Sequence, residues 1–127
     1  MAKRYLGEKK GKIADEAIRG LITKHQMDGK AFALTLRRSA DEAKTTSAPS
    51  PASSMFKYYG TEQNKNRYEV MLKILGSQGL GWEGAGYEER ELLTTREWLR
   101  SKANSIEGGT SEVQMNIIAK RVLGLPD

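Results

Sequence analysis

Residues 99–126 read LRSKANSIEGGTSEVQMNIIAKRVLGLP, and they contain the start, the body and the end of one helix. Gly108 and Gly109 come just before two hydroxyl residues, and Ser111 with Gln114 fits a capping box. Apolar residues then recur along one helical face until a Gly-Leu-Pro run ends the pattern. The stretch therefore predicts a terminal helix that begins directly after a glycine turn.

A long helix is predicted over residues 13–44, where apolar or small residues recur at spacings of three and four. Gly29 lies on that face, and we expect a close helix crossing there because glycine has no side chain. His25 lies on the same face and is predicted to be a buried, hydrogen-bonded histidine. The face consists of Ile18, Ile22, His25, Gly29, Phe32, Leu36 and Ala40.

The next predicted helix begins at Ser53 or Ser54, which can cap it, and ends at Gly76. Its two ends are apolar, whereas residues 61–67 are almost wholly polar. A free-standing core helix does not have this pattern. The polar middle is therefore predicted to face solvent or to pack on a segment that this chain lacks.

A further helix is predicted from the capping box of Thr94 and Glu97 to about Asn104, with Trp98 and Leu99 on its buried side. Because no stretch alternates with period two, the predicted fold class is all-α, of the bundle type.

Three segments lie outside these helices. Residues 1–12 form a basic leader, predicted to be frayed or loosely docked. Residues 45–54 form a Pro- and Ser-rich linker, and residues 76–88 form a Gly-rich loop anchored by Trp82.

The composition excludes several classes of function. The chain has 127 residues, no cysteine and one histidine, which removes disulfides, Cys-ligated metals, thiol nucleophiles and His-rich metal sites. No metal site is therefore expected. No apolar run approaches the ~20 residues of a membrane span, and the absence of a secretory signal predicts a cytoplasmic location.

The net charge of +5 permits an anionic ligand. Nucleic acid is disfavoured because the Lys and Arg clusters have no interleaved aromatic platform. Trp82, Tyr87 and Trp98 are instead expected to anchor loops and core. The glycine pair has the composition of an anion-binding helix start, where free N–H groups and the helix dipole point at one spot. On spacing alone, an ordinary helix start is the more common explanation.

The wider sequence adds a family resemblance. The run GGTSEVQ, followed by NIIAKRVLGLP, resembles the C-terminal end of acyl-CoA dehydrogenases. Residues 53–80, SSMFKYYGTEQNKNRYEVMLKILGSQGL, are similar to the helix-and-glycine-loop segment just upstream. The resemblance is clear over residues 53–127 and fainter over residues 18–43.

The resemblance implies that residues 13–127 form an incomplete four-helix bundle. The first helix of that bundle, and the family's helical and β domains, would lie before Met1. The implied activity is the FAD-dependent α,β-dehydrogenation of acyl-CoA thioesters in fatty acid or lipid catabolism. A carboxylate removes the α-proton in this reaction, and the flavin takes the β-hydride.

Because the β domain and the catalytic base are missing, this chain alone is not expected to be competent. A homo- or hetero-oligomer is expected because an incomplete bundle leaves apolar faces without partners, namely those with Ile18, Ile22, Phe32, Val113 and Ile117. One alternative is a non-catalytic helical subunit or pseudoenzyme fragment that pairs with a complete partner. A remote alternative is a basic helical nucleic-acid-binding protein.

The resemblance also implies cofactor-binding residues. Those that match the segment approaching the flavin and its phosphates are Gly108, Gly109, Thr110 and Glu112. Those at positions that contact the FAD of a neighbouring subunit are Lys73 and Ser77, and Lys73 replaces the amide-bearing side chain common there.

No catalytic residue is assigned. Gly108 occupies the position at which one branch of the family has its catalytic glutamate, and other branches carry the base on an upstream helix. Glu107 precedes that position by one residue, and such a shift rotates the side chain substantially. Glu107 is therefore a weak stand-in for the base.

Overall fold

The computed structural model of the chain describes residues 1–45 and 52–126, and it is mostly helical, which confirms the all-α prediction. The helices are α1 (Ala2–Leu6), α2 (Glu16–Ala43), α3 (Ala52–Leu75), α4 (Glu89–Lys102) and α5 (Ser111–Ile117). The shorter elements are the strands β1 (Glu8–Lys9) and β2 (Lys12–Ile13), the 3-10 turns Gly76–Leu80 and Ala103–Ser105, and the π turn Ile118–Val122.

Helix α3 is the centre of the fold, because α1, α2, α4 and α5 all pack against it. Its C-terminal end supplies the apolar core. In the described part of the chain, the buried apolar side chains are Val70, Ile74 and Leu75, which remain 4–7% exposed. More polar than apolar side chains are buried, so hydrogen bonds must hold much of the structure. The buried polar residues are Ser54, Glu91, Thr94, Thr95, Ser101, Ser111 and Gln114.

The start of α2 is set by Asp15, whose carboxylate accepts a hydrogen bond of 2.8 Å from the Ile18 amide. The helix crosses α3 near Phe32, whose ring lies 5.4 Å from the Tyr59 ring between centroids. No residue of α2 is buried, so its apolar face is only partly covered.

The close helix crossing predicted at Gly29 is wrong. A Cβ at Gly29 would meet nothing within 4 Å, whereas a Cβ at Gly60 of α3 would come within 3.3 Å of the Phe32 ring. The periodicity located the half-buried face of α2 from Ile18 to Phe32, but Leu36 and Ala40 at its end are exposed. The glycine that allows the close approach belongs to the partner helix. The helices approach closely because the bulky Phe32 ring of α2 lies against Gly60 of α3, which has no side chain.

Residues 61–67 do not follow the predicted pattern of facing solvent or a missing segment. This stretch of α3 packs on the chain's own connection between α4 and α5, where its side chains are mostly half-buried. We call the hydrogen-bonded residues there the polar cluster. It consists of Lys57, Thr61, Asn64 and Lys65 on α3, with Asn104 and Ser105 in the connection.

The predicted helix caps of α3 and α4 are wrong. Helix α3 begins at Ala52, so Ser53 and Ser54 lie inside it. Residues 46–51 of the predicted linker lie outside the described residues. Helix α4 begins six residues earlier than expected, nearly two turns, where Glu88 and Glu91 form the capping box. Thr94 is buried within the helix instead, and its Oγ1 donates to the Arg90 carbonyl oxygen at 2.8 Å. Thr94 and Glu97 match the sequence pattern of a capping box, but the capping box of α4 is formed by Glu88 and Glu91 instead.

The buried side of α4 also differs from the prediction. Trp98 is half-buried, but Leu99 is 46% exposed. The side chains that α4 buries are polar: Glu91, Thr94, Thr95 and Ser101. Thr95 Oγ1 donates to the Gly79 carbonyl oxygen at 3.0 Å, so this face is held by hydrogen bonds that hydrophobic periodicity does not detect.

The basic leader is more ordered than a frayed segment. Helix α1 is followed by a hairpin in which Glu8 pairs with Ile13 and Lys9 with Lys12. Tyr5 Oη donates to a carboxylate oxygen of Glu91 at 2.7 Å, which ties the leader to α4. A two-residue turn with positive φ at both positions closes the hairpin, a geometry that matches the twist of the strands.

Gly76 ends α3 with φ of +58°, as predicted. The following Gly-rich loop begins as the 3-10 turn Gly76–Leu80, and Trp82 is not its anchor because the residue is 52% exposed. Tyr87 anchors the loop instead, because its ring packs so closely on Gly81 that a Cβ there would lie 2.5 Å from the ring.

Within the described residues, no helix combines the length and the apolarity needed to cross a membrane.

Candidate functional site

The glycine turn before α5 has a backbone that requires its two glycines. Gly108 has φ of +66° and Gly109 has φ of +94°, and both residues are exposed. This left-handed region is costly for residues with a Cβ. The main chain of the turn can therefore approach a ligand with no side chain in between.

Gln114 holds the turn from inside. Its side chain is buried, and its Nε2 donates to the Gly108 carbonyl oxygen at 3.1 Å. A Cβ at Gly109 would come within 2.7 Å of the same Nε2. Gly109 is thus fixed by both its φ angle and its close contact with Gln114.

Helix α5 begins with a different cap from the one predicted. Thr110 is the N-cap, and its Oγ1 accepts a hydrogen bond of 3.3 Å from the Val113 amide. The predicted capping box of Ser111 and Gln114 is wrong, because Gln114 bonds to Gly108 instead. Ser111 is buried, and its Oγ has no hydrogen-bond partner among the described residues.

Glu107 is engaged as a carboxylate just ahead of the turn. One of its oxygens accepts a hydrogen bond from Asn104 Nδ2, and the other accepts one of 3.1 Å from Arg100 Nη2. These bonds lower the pKa of Glu107, that from Asn104 most. A lowered pKa makes this exposed carboxylate a poor proton acceptor, which is the opposite of what a general base requires.

Glu112 lies in the first turn of α5, where a negative charge interacts favourably with the helix dipole. Its own backbone amide and the Thr110 hydroxyl are the main causes that lower its pKa. Lys57 and Lys65 lower it further through their charges. The Cε of Lys57 lies 3.8 Å from the position that a Cβ of Gly108 would take. A positive charge therefore lies directly beside the glycine turn.

The structure brings together Gly108, Gly109, Thr110 and Glu112, but it does not bring Lys73 and Ser77 to them. Lys73 lies sixteen residues beyond Lys57 along α3, which corresponds to about 24 Å along the helix axis. Lys73 and Ser77 are both exposed at that far end. The six candidate cofactor-binding residues thus form two separate groups.

The polar cluster is the part of the site that the sequence interpretation missed. Lys57 and Asn104 were not singled out, although both contact the segment leading into the turn. A signal was present on one face of α3: Thr61 follows Lys57 by four residues, and Asn64 and Lys65 follow Thr61 by three and four. Hydropathy analysis interpreted this face as polar rather than as an interface.

The other candidate side chains have structural partners. His25 is half-buried rather than buried, and its Nδ1 lies 3.4 Å from Asn66 Nδ2. Trp98 Nε1 donates to a carboxylate oxygen of Glu69 at 2.8 Å, and the Lys102 ammonium lies 4.7 Å from the Trp98 ring centroid. In the described ranges, no group of three or more His, Asp or Glu side chains could hold a metal ion.

A basic cavity of about 450 Å³ lies beside the hairpin. Its lining residues are Lys9, Lys10, Lys12, Ala14, Glu16 and Arg19. None of them is aromatic, so the cavity offers no stacking platform for bases. The exclusion of nucleic acid stays a prediction.

Comparisons with known proteins identify the family. A profile of the family described as "Acyl-CoA dehydrogenase, C-terminal domain" matches residues 2–123. Acyl-CoA dehydrogenase IpdE1 from Mycolicibacterium smegmatis is 43% identical over 58 residues, which is 46% of this chain and 14% of the relative. The protein of the same name from Mycobacterium tuberculosis is 36% identical over 63 residues, which is 50% of this chain and 15% of the relative.

These alignments span about one seventh of the length of the two relatives. No solved structure gave a significant match. Because the family profile covers nearly the whole sequence, the chain belongs to the acyl-CoA dehydrogenase C-terminal domain family.

Proposed function

We propose that this chain is a flavin-facing C-terminal helical domain of an acyl-CoA dehydrogenase. In this proposal, the turn at Gly108 and Gly109 receives FAD. The observation that carries it is the pair of exposed, left-handed glycines at the start of α5. The two glycines leave the main chain of this start open to an anion, and the positive end of the α5 dipole points the same way. The amides of Glu112 and Val113 are bonded to the Glu112 carboxylate and to Thr110 Oγ1, so the support comes from the glycines that precede α5.

The residues around the turn fit a phosphate-bearing cofactor. The backbone is free of side chains, and the Lys57 side chain lies within contact distance of Gly108. Two carboxylates oppose an anion, but Glu107 is already paired with Arg100 and Asn104. Glu112 bonds to its own backbone and to Thr110. The charge of Glu107 is thus balanced by Arg100, and the positive charges that act on Glu112 are those of Lys57 and Lys65.

Each residue of the turn has a separate task in this proposal. Gly108 and Gly109 allow close approach, Thr110 caps α5, and Gln114 fixes the turn from inside. FAD, when bound, supplies the hydride acceptor for dehydrogenation of an acyl-CoA thioester. Glu107 is not expected to remove the α-proton because both of its carboxylate oxygens are already bonded, to Asn104 and to Arg100. The chain alone is therefore not expected to turn over an acyl-CoA.

Lys73 and Ser77 contact the FAD of a neighbouring subunit in this proposal. The separation of the two groups is compatible with this arrangement, because Lys73 lies about 24 Å along α3 from Lys57, which contacts the glycine turn. The proposed assembly is a homo- or hetero-oligomer in the cytoplasm that acts in lipid catabolism.

The proposal is tested on the purified chain by an FAD titration, a flavin-content measurement and a dye-reduction assay. Titration with FAD, followed by amide chemical shifts, is expected to give weak, saturable changes that are concentrated at residues 108–112. Flavin content after desalting and dye reduction with several acyl-CoAs are both expected to be negligible. If FAD leaves residues 108–112 unperturbed, the proposed flavin-facing role is wrong; stoichiometric flavin with turnover would overturn the expected incompetence.

A second candidate is a non-catalytic subunit that pairs with a complete partner. The observation in its favour is the sparse core together with large exposed apolar side chains, which favour association. Among them are Met27, Leu34, Leu80, Val113 and Leu123. Both candidates predict a dimer or larger species in sedimentation, and a concentration-independent monomer would contradict that shared expectation. FAD-induced shifts at residues 108–112 favour the first candidate.

A further inference from the structure

Asn104 connects α3 to the segment that leads into the glycine turn. Lys57 Nζ donates to the Asn104 main-chain oxygen at 3.1 Å, and Thr61 Oγ1 donates to the same oxygen at 3.4 Å. Asn64 Nδ2 donates to Asn104 Oδ1 at 2.8 Å. On the other side, Asn104 Nδ2 donates to Glu107. The two ends of the Asn104 amide group therefore bond to α3 and to the start of the turn.

A second connection lies one residue further on. Lys65 Nζ donates to Ser105 Oγ at 2.8 Å and pairs with Glu62 at 3.0 Å. The Lys65 side chain is only 25% exposed, so its ammonium is held between these groups. Since hydrogen bonds depend on both distance and angle, two adjacent residues held this way have little freedom to rotate.

The constraint on Asn104 extends to the glycines through a tight backbone turn. The amides of Ile106 and Glu107 both donate to the Ala103 carbonyl oxygen, at 2.9 Å and 3.1 Å. Gly108 follows directly, and the Lys57 side chain lies 3.8 Å from its would-be Cβ. The position of Gly108 relative to α3 is thus set by contacts made before the turn begins.

We propose that Asn104 is a positioning residue and that the polar cluster presets the glycine turn before any ligand arrives. A preset turn does not need to be ordered on binding, which lowers the entropic cost of association. That the ligand is FAD rests on the proposed function, whereas the presetting of the turn does not. The proposal also accounts for the polar middle of α3, which has no role in the apolar core.

The test is amide hydrogen exchange on the full chain with Lys57→Met, which removes the donor and nearly keeps the side-chain length. The readouts are the amides of Glu107 and Val113, which bond to Ala103 and Thr110. Both are expected to exchange at least about tenfold faster, because a hydrogen bond from a charged donor is lost. Exchange within α2 is expected to stay unchanged.

Two matched variants separate positioning from general destabilisation. Lys57→Arg keeps a charged donor and is expected to restore protection at the two amides. Lys24→Met makes the same chemical change on α2, where Lys24 is 73% exposed and pairs with Asp28, and it is expected to leave the turn unchanged. If Lys57→Met does not fold, Asn64→Ala is measured in its place, because it removes only the donor to Asn104 Oδ1.

Unchanged exchange at Glu107 and Val113 in a folded variant would overturn the proposal. An equal rise at every protected amide would also overturn it, because the cluster would then act only on global stability. FAD titration of the same proteins distinguishes the two proposals. Selective loss of protection in Lys57→Met, together with a parent chain that does not respond to FAD, would reject the proposed function and leave the positioning role standing.

Discussion

The two ends of α3 hold the molecule by different means. The C-terminal end buries Val70, Ile74 and Leu75, whereas residues 57–65, nearer the other end, carry the polar cluster against the α4–α5 connection. Apolar burial is non-directional and contributes chiefly to stability, while hydrogen bonds also fix orientation. One helix can therefore stabilise a fold at one end and set the geometry of a candidate site nearer the other.

The largest effect is expected at the apolar end, from Ile74→Ala. Ile74 is 7% exposed and is one of three buried apolar side chains in the described residues, so few neighbours can compensate for its loss. We expect the free energy of unfolding to fall by about 2–5 kcal/mol in denaturant titration. Met27→Ala, at a 66% exposed position, is the control and should change it by less than about 0.5 kcal/mol. Equal losses in both variants would mean that α3 does not provide the core.

The next largest loss of stability is expected from Gly109→Val, in the glycine turn that the polar cluster contacts. The variant strains a residue with φ of +94° and places a Cβ against Gln114 Nε2, which costs about 1–3 kcal/mol. The same change at Gly86, which is exposed and has open space around it, is the control. The unfolding free energy of the two variants is the measurement. If they unfold alike, the turn does not need its left-handed backbone.

A smaller effect is expected from the two hydroxyl residues after the turn. Thr110→Ala removes the N-cap of α5 and should destabilise the chain by about 1 kcal/mol. Ser111→Ala removes a buried hydroxyl without a partner among the described residues, and it should be neutral or slightly stabilising. Thermal unfolding of the pair decides this order. A larger loss from Ser111→Ala would restore the capping role predicted from the sequence.

The smallest effect is expected from Glu69, which joins α3 to α4. Its pKa is lowered, first by the hydrogen bond from Lys102 and then by that from Trp98. The carboxylate form therefore stabilises the fold above its ordinary pKa of 4.5, and this contribution is lost as the pH falls through the lower pKa of the folded state. Because the pair is about 40% exposed, less than about 1 kcal/mol is at stake. The unfolding free energy of Glu69→Gln should depend less on pH below 4.5 than that of the parent; identical profiles would contradict the assignment.

The sequence predicted the helices well because their periodicity and their glycine stops are local signals. The face of α2, the end of α3 at Gly76 and the glycine turn at Gly108 all follow from such signals. The helix caps were predicted less well. The helix is capped at Glu88 rather than at Thr94, and the Glu88 carboxylate also pairs with Arg4 of the distant leader.

The polar cluster could not be found by hydropathy, because its bonds join residues about forty positions apart in the chain. Asn64 and Asn104 carry no local sign that they pair, and hydrophobic periodicity treats both as surface residues. The candidate FAD residues came from the family resemblance rather than from spacing. The structure adds the φ angles of Gly108 and Gly109, which spacing alone does not contain.

The most direct test of the central claim measures FAD affinity and unfolding free energy together on Ile74→Ala and Gly109→Val. Opposite patterns are expected, because Ile74 belongs to the apolar core and Gly109 belongs to the glycine turn proposed to face FAD. Ile74→Ala should lose more stability yet bind FAD as the parent does while it remains folded. Gly109→Val should lose FAD binding by a larger factor than its loss of stability explains. If affinity and stability fall together in both variants, or if Gly109→Val binds FAD as well as the parent, the flavin-facing turn is wrong.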